Sequence, residues 1–475
     1  MLTIPDFALV LLIGPSGAGK STFAARHFLD TEVVSSDECR GLVADDENDQ
    51  DATVPAFELL QFIVEKRLQY RRLTVVDATN LRPEDRRVYV RIARKYHALP
   101  VAVVLNPGEQ VCQERNSQRP DRQFGPHVVR NHVRTLKRGL KSLKREGFRQ
   151  IHLLESVEEI ERAEIERRRL WTDHREETGP FDIIGDVHGC CDELEALLGE
   201  LGYKVEFSGT GEERRCRVVP PPGRKAIFVG DLVDRGPRIM DVLRLVMTMV
   251  ADGSALCVVG NHEDKFLRWL NGKNVKISHG LAQTIEQLES ESKFFREQVR
   301  EFLDGLVSHY WLDDGRLCVA HAGLSEGMIG RASGAVRVFA LYGETTGETD
   351  EFGLPVRHNW AAEYRGRTMV VYGHTPVPRA EWLNNTICLD TGCVFGGALT
   401  ALRYPEKELV SVPARRMYFE PIRPLKAEAP DRSGQAIADD MLDLADVIGK
   451  RIVDVRLGRT VTIAEPNAAA ALEAM

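Results

Sequence analysis

The chain has 475 residues, 43% hydrophobic and 28% charged, and a formal net charge of -8. That length exceeds what one hydrophobic core supports and predicts two or three domains. The negative balance excludes general attraction to nucleic acid, so any such binding must come from a local patch. Nine cysteines at irregular spacings argue for reduced thiols in a cytoplasmic protein rather than a disulfide framework. Adjacent Cys190 and Cys191 read as buried small side chains. No apolar run reaches membrane-spanning length, and no basic leader precedes the first apolar run, so neither a membrane span nor a secretory signal is expected.

Five short apolar runs, at 7–14, 32–37, 73–79, 101–106 and 149–156, alternate with helical patterns. Such alternation predicts an α/β domain over residues 1–170, a parallel sheet flanked by helices. The first run feeds Gly14, Pro15, Ser16, Gly17, Ala18, Gly19, Lys20 and Ser21, which match the phosphate-binding P-loop at every fixed position. Its glycines let backbone N–H groups turn onto phosphate oxygens, and the following helix adds its dipole. Lys20 would reach the β- and γ-phosphates and Ser21 would ligate Mg²⁺, so the expected cofactor is an NTP, ATP or GTP, with Mg²⁺.

Asp37 and Arg40, in SSDECR, follow the second run, which is expected beside the P-loop strand. A carboxylate there can accept the proton of an attacking hydroxyl, and an arginine can grip a phosphate. An N-capping aspartate and a surface arginine remain the alternative. Arg115, Arg119 and Arg122, in RNSQRPDRQFG, suit a lid that neutralises a transferring phosphoryl group; a solvated charged loop is the other reading. Arg119 is the candidate catalytic arginine, with Arg115 and Arg122 as nucleotide contacts. Together the P-loop, SDECR and the arginines resemble the 5′-hydroxyl polynucleotide kinases. The resemblance implies that Asp37 is the general base and Arg40 the clamp on the acceptor phosphate. Residues 130–145, RNHVRTLKRGLKSLKR, hold seven Lys/Arg and no acid. Arg130, Arg134, Lys137, Lys141 and Lys144 recur at helical spacing, a stripe suited either to a nucleic-acid backbone or to plain solvation.

Residues 157–180 are dense in both charge signs and predict a linker helix, with the domain boundary near 170–180. Beyond it, over 171–412, five apolar runs end in IIGDVHG, VGDLVDRGP, VVGNHED, VAHAGL and VVYGHTP. If each run is a strand, the polar residues project from one edge. Asp186 and His188 would hold a first metal, Asn261, His321 and His374 a second, and Asp231 would bridge. Mixed imidazole and oxygen ligands suit Mn²⁺, with Fe, Ni or Zn as alternatives, and two such ions polarise a phosphoryl group and activate water. His262 would act on the leaving group, Arg235 would bind the phosphate, and Asp390 would orient a ligand histidine.

These motifs resemble the calcineurin-like metallophosphoesterases, in the branch of protein phosphatases and diadenosine tetraphosphatases. That likeness implies an α/β sandwich. The two halves in this order resemble the bacterial polynucleotide kinase–phosphatases of RNA repair. The family implies RNA or DNA ends as substrates, an RNA ligase module and an RNA 3′-end methyltransferase as partners, and leaves a homodimer open. Residues 413–475 would then be an extension leading to a ligase domain that is absent. Its expected work is to phosphorylate 5′-OH ends and to remove 2′,3′-cyclic, 3′- or 2′-phosphates. Two rivals remain. One is a Ser/Thr protein phosphatase or dinucleotide tetraphosphatase regulated by a nucleotide-sensing P-loop domain. The other makes the first domain a non-catalytic scaffold that recruits RNA.

Overall fold

The computed structural model describes residues 1–118, 125–349, 355–421, 451–454 and 459–462. Arg119 and Arg122 lie outside the described residues. The chain forms two compact units, Met1–Pro424 and Leu425–Met475. In the second, the strands Arg451–Asp454 and Arg459–Thr462 pair antiparallel.

The first run becomes the strand Ala8–Ile13, buried at every position. Burial on both faces is what a central parallel strand requires. Leu9, Leu11 and Ile13 enter one core cluster, while Ala8, Val10 and Leu12 enter another, the period-2 alternation of a sheet covered twice. The spatial order is Val33–Ser35, Thr74–Asp77, Ala8–Ile13, Leu99–Leu105, Gln150–Leu154, and all pairings are parallel. The strand leading to Asp37 is therefore not beside the P-loop strand, as expected from sequence, because Thr74–Asp77 lies between them. The helix Thr53–Gln69 carries the chain from the outer strand back to that middle one.

The charged segment 157–180 is not a linker helix. Only Val157–Arg162 is helical. Ile165–Arg168 then pairs parallel with the N-terminal strand Leu2–Pro5, and Asp173–His174 pairs parallel with His309–Leu312. The segment is stitched to both halves because each offers it an unpaired strand edge, and Ile160, Ala163, Leu170 and Asp173 are buried in doing so.

From Phe181 onward, two sheets pack face to face. One runs Ala255–Cys257, Lys225–Phe228, Phe181–Ile184, Ala398–Tyr404, Glu408–Pro413; the other runs Trp382–Leu383, Thr386–Cys388, Met369–Tyr372, Leu317–Ala320, His309–Leu312, Asp173–His174. Ile183, Ile227, Val229, Leu317, Val319 and Val371 share the core between them. The outer face of the first sheet, through Ile184, Phe228 and Cys257, packs on helices that include Ile239–Ala251. This is the expected α/β sandwich. Among the described residues, no helix is long and apolar enough to cross a membrane.

Candidate active sites

In the first half the P-loop turns at Gly17 and Gly19, with φ of +82° and +90°. A Cβ on Gly17 would sit 2.3 Å from the Cys112 carbonyl oxygen, so only glycine fits the turn. Lys20 opens the helix Lys20–His27, and its ammonium donates to the carbonyls of Gly14 (3.1 Å) and Pro15 (3.0 Å). The Arg115 guanidinium reaches the same loop: its Nη1 lies 3.1 Å from where a Gly19 Cβ would be. His132, which the sequence reading passed over, accepts a long contact from the Ser16 N–H at 3.5 Å. Burial, then the Lys20 charge, holds this imidazole below its usual range.

Asp37 and Arg40 sit one turn apart on the helix Ser36–Ala44, capped by Ser35. Arg40 is buried; its Nη1 donates to Asp37 Oδ1 at 2.6 Å and to the Glu47 carbonyl at 2.8 Å. The arginine thus holds the Asp37 carboxylate from the buried side of the helix. The basic stripe lies on the helix Pro126–Gly139 and the turns after it, with Val133, Leu136 and Leu143 buried behind it. Arg130, Arg134, Lys137, Arg138 and Lys141 line an open groove of about 560 Å³.

In the second half every motif lies just beyond a strand C-terminus, and Asp186, His188, Asp231, Arg235, Asn261, His262, His321 and His374 come together; Asp390 does not orient a ligand histidine as expected, since it accepts the Gly392 N–H at 3.1 Å and the His188 and His321 Nδ1 atoms face backbone carbonyls instead. Asp231 is the hub. Its Oδ2 lies 3.5 Å from His188 Nε2 and 3.9 Å from His262 Nε2, and its Oδ1 lies 3.4 Å from His321 Nε2. His321 Nε2 is also 2.9 Å from Asn261 Oδ1 and 2.9 Å from His374 Nδ1. Asp186 Oδ2 accepts the His374 N–H at 2.9 Å.

These close approaches need unusual backbone. His188, Asp231, Asp234, Arg235 and His374 all have positive φ, between +43° and +74°. Each costs about 1–2 kcal/mol relative to the right-handed region, and such strain persists only where the surroundings enforce it. Glu263 does much of the enforcing. Buried in the interior, its carboxylate accepts the backbone N–H groups of Asp231, Leu232, Val233 and Gly260. Gly260 must be glycine, since a Cβ there would lie 2.2 Å from Asp231 Oδ1.

The donor set fits divalent cations. His188 Nδ1 faces the Val233 carbonyl (2.8 Å) and His321 Nδ1 the Val229 carbonyl (3.0 Å). Those Nδ1 atoms must carry the protons, which leaves each Nε2 as a lone pair. Around His321 Nε2 the Asn261 and Asp231 oxygens are acceptors too, an arrangement that repels itself until a cation enters. Asp186 Oδ1 and His374 Nε2 are buried with no hydrogen-bond partner among the described residues. Burial, reinforced by Asp390 for one and Glu263 for the other, raises the Asp186 and Asp231 carboxyls far above their usual range. Burial also pushes His321 down to about 3 and holds His188 and His374 well below normal. Neutral imidazoles among crowded carboxylates are the ligands that transition metals take.

Arg235 donates to His188 Nε2 (2.7 Å) and to His262 Nε2 (3.0 Å), placing its fork at the mouth of the centre. His262 Nδ1 is hydrogen-bonded to Asp234 Oδ2, and Thr284 Oγ1 bonds the other Asp234 oxygen. Asp234 and Glu263 were missed from sequence, although both lie inside the motifs DLVDRG and GNHED. Arg357 was missed too. Its charge acts on Asp231, Asp390 and His374, and its guanidinium donates to Thr375 Oγ1 at 2.6 Å. No motif in the sequence marks it.

Residues 9–143 match an AAA-domain family, and residues 179–378 match the calcineurin-like phosphoesterases. The asymmetrical bis(5′-nucleosyl)-tetraphosphatase PrpE of Anoxybacillus flavithermus is 46% identical over 249 residues, covering 51% of this chain and 98% of the relative. The same-named protein of a Geobacillus species is 46% identical over 242 residues, covering 50% and 96%. That of Bacillus subtilis is 43% identical over 244 residues, covering 50% and 97%. With the strand-end clusters of histidine and carboxylate in place, these matches establish that the chain belongs to the calcineurin-like phosphoesterases and carries a kinase-like P-loop domain fused ahead of the phosphoesterase.

Proposed function

We propose that the chain heals broken RNA ends. Its P-loop half transfers the γ-phosphate of ATP or GTP to a 5′-OH terminus, and its phosphoesterase half clears 2′,3′-cyclic, 3′- or 2′-phosphates with two divalent ions, Mn²⁺ by ligand preference. What supports this reading is that a P-loop and a strand-end cluster of metal-ligand residues lie in one compact unit, Met1–Pro424. A ligase needs a 5′-phosphate and a free 3′-OH, so an RNA ligase acting next is the partner this chemistry requires. The nine free cysteines suit a reducing cytoplasm.

In the kinase step Asp37 accepts the proton of the 5′-OH as its oxygen bonds to the γ-phosphorus, and the β–γ bond breaks to release NDP. Lys20, Arg115 on the helix Glu109–Ser117, and Arg119 and Arg122 in the segment that follows it take up the charge that develops. In the phosphoesterase, Asp186, His188, Asp231, Asn261, His321 and His374 would hold the ions, which would polarise the phosphoryl group. Arg235 and Arg357 orient the phosphate, and His262, steadied by Asp234, serves the leaving oxygen.

The length over which the PrpE relatives match supports a second reading, hydrolysis of dinucleoside tetraphosphates. Incubation with γ-labelled ATP or GTP and a 5′-OH oligonucleotide separates the two. Label on the 5′ end supports end healing; no transfer, together with rapid cleavage of diadenosine tetraphosphate, supports the second reading.

A further inference from the structure

Arg235 has two surroundings. Its guanidinium nitrogens face the histidines of the metal centre, and the same residue lines a cavity of about 400 Å³ with Gln283, Gln287, Arg416, Met417 and Tyr418. That volume lies in the range of small-ligand sites. The far wall is the segment 414–419, which is anchored firmly. The Ala414 N–H donates to Gly397 O (2.8 Å), and the Tyr418 and Phe419 N–H groups donate to Val394 O (3.0 Å each). The Tyr418 hydroxyl and the Arg415 N–H donate to the buried Glu193 carboxylate at 2.7 and 2.9 Å. Gln287 fixes the floor, accepting the Ile239 N–H and donating to Gly236 O.

Two groups are left over by this scaffolding. Arg416 is exposed, has no ion pair among the described residues, and lies over the Tyr418 ring at 5.1 Å. The Gln283 amide makes no hydrogen bond among the described residues. The rings of Phe395 and Phe419 approach the Arg235 guanidinium carbon at 5.2 and 5.9 Å. No carboxylate lines the cavity.

We propose that this cavity is the nucleoside subsite of the phosphoesterase. It rests on the phosphoesterase reading of the neighbouring centre and names the residues that hold the nucleoside of its substrate, Arg416 and Gln283. The phosphate lies at Arg235. The base stacks on the planar guanidinium of Arg416 above Tyr418, and its edge meets the Gln283 amide, the two contacts that protein sites use for unpaired bases. A phosphoserine peptide offers neither a flat π-face nor a base edge, and basic neighbours in such a peptide find no carboxylate in the lining.

The test uses the full chain supplied with Mn²⁺ and the variants Arg416→Ala, Gln283→Ala and their combination. The readout is the ratio of kcat/KM for adenosine 3′-phosphate to that for p-nitrophenyl phosphate. Loss of one stacked base predicts a fall of about tenfold in that ratio. Equilibrium binding of adenosine 3′-phosphate, with inorganic phosphate as the control, should weaken by a similar factor for the nucleotide alone. The binding arm stands even if the wild-type protein hydrolyses neither ester, an outcome that would count against the phosphoesterase reading only. Diadenosine tetraphosphate and a 3′-phosphorylated oligonucleotide, run in parallel, show which nucleoside source uses the subsite. An unchanged ratio and unchanged binding in the double variant overturn the proposal, as does a phosphoserine peptide outcompeting the nucleotide.

Discussion

The two halves of Met1–Pro424 meet phosphate in opposite ways. The P-loop half offers donors: backbone N–H groups, the Lys20 ammonium and the Arg115 guanidinium, with an Asp37 side chain still 42% exposed. Donors at a loop surface can be satisfied locally until the anion arrives, as Lys20 is by the loop's own carbonyls of Gly14 and Pro15, so the site needs little enforcement. The phosphoesterase half offers acceptors: Asp186, Asp231 and His321 are all at most 3% exposed. Crowded buried acceptors repel each other, so this site must be clamped, and five non-glycine residues with positive φ show the strain of clamping. Here the candidate anion site is a contiguous motif, whereas the candidate cation site is assembled from the ends of several strands.

Removing the hub of the clamped site tests this contrast most severely. Asp231→Ala should lose both ions together and drop phosphoesterase turnover by about 10³-fold or more, since several kcal/mol of charge stabilisation goes with them. Metal analysis and turnover should fall together; full two-ion occupancy in the variant would break the bridging role. On the donor side, Asp37→Ala should cost about 10²–10⁴-fold in end phosphorylation and leave the esterase intact. Loss of both activities would show that the halves are not chemically independent.

Mechanical independence is another matter. The Arg331 guanidinium, from the phosphoesterase half, donates to the carbonyls of Tyr96 and Gln69 and lies 5.4 Å from the Phe7 ring. His97 hydrogen-bonds Ser333 at 3.0 Å across the same junction. Arg331→Ala should therefore cost about 2–3 kcal/mol, the worth of hydrogen bonds from a buried charged donor, and should split one calorimetric transition into two. A single transition at unchanged temperature would show that this junction does not couple the halves.

The connecting segment has its own pH signature. Hydrogen bonding to His174 and Lys225 pulls Glu177 down to about 2, and Glu177 in turn raises His174. The carboxylate's contribution is present above its usual 4.5 and is lost as pH falls towards 2. The imidazole's contribution is present below 6.5 and is lost as pH rises through its raised value. Glu177→Gln should thus cost about 1 kcal/mol near pH 5–6, and the deficit should shrink as pH falls towards 2. A deficit independent of pH would assign the effect to packing. The smallest effect is expected at the exposed stripe. Each phosphate contact removed by reversing Arg134, Lys137 or Lys141 should flatten the log–log salt slope of single-strand binding by about 0.7.

Much was legible in the sequence because the chemistry needs residues at fixed local offsets. The P-loop is one strand, one turn and one helix start, so GPSGAGKS carries its own context. Each strand-end cluster, from GDVHG to YGHTP, was readable for the same reason, and the apolar runs before them became the strands expected. What pattern could not supply was pairing between distant segments. Charge density made 157–180 look like a solvated helix, but the free edges of Leu2–Pro5 and His309–Leu312 recruited it as strands. Strand order likewise comes from crossover geometry, which put Thr74–Asp77 between Asp37's strand and the P-loop. The approach of Arg357 to Asp231, and the cavity that Arg416 shares with Arg235 and Gln283, each bring together chain far apart in sequence. Local hydrogen bonding and periodicity are written in neighbouring residues. The meeting of Asp231 with His188, His321 and Glu263 is decided by the packing of two sheets, which no short stretch of chain contains.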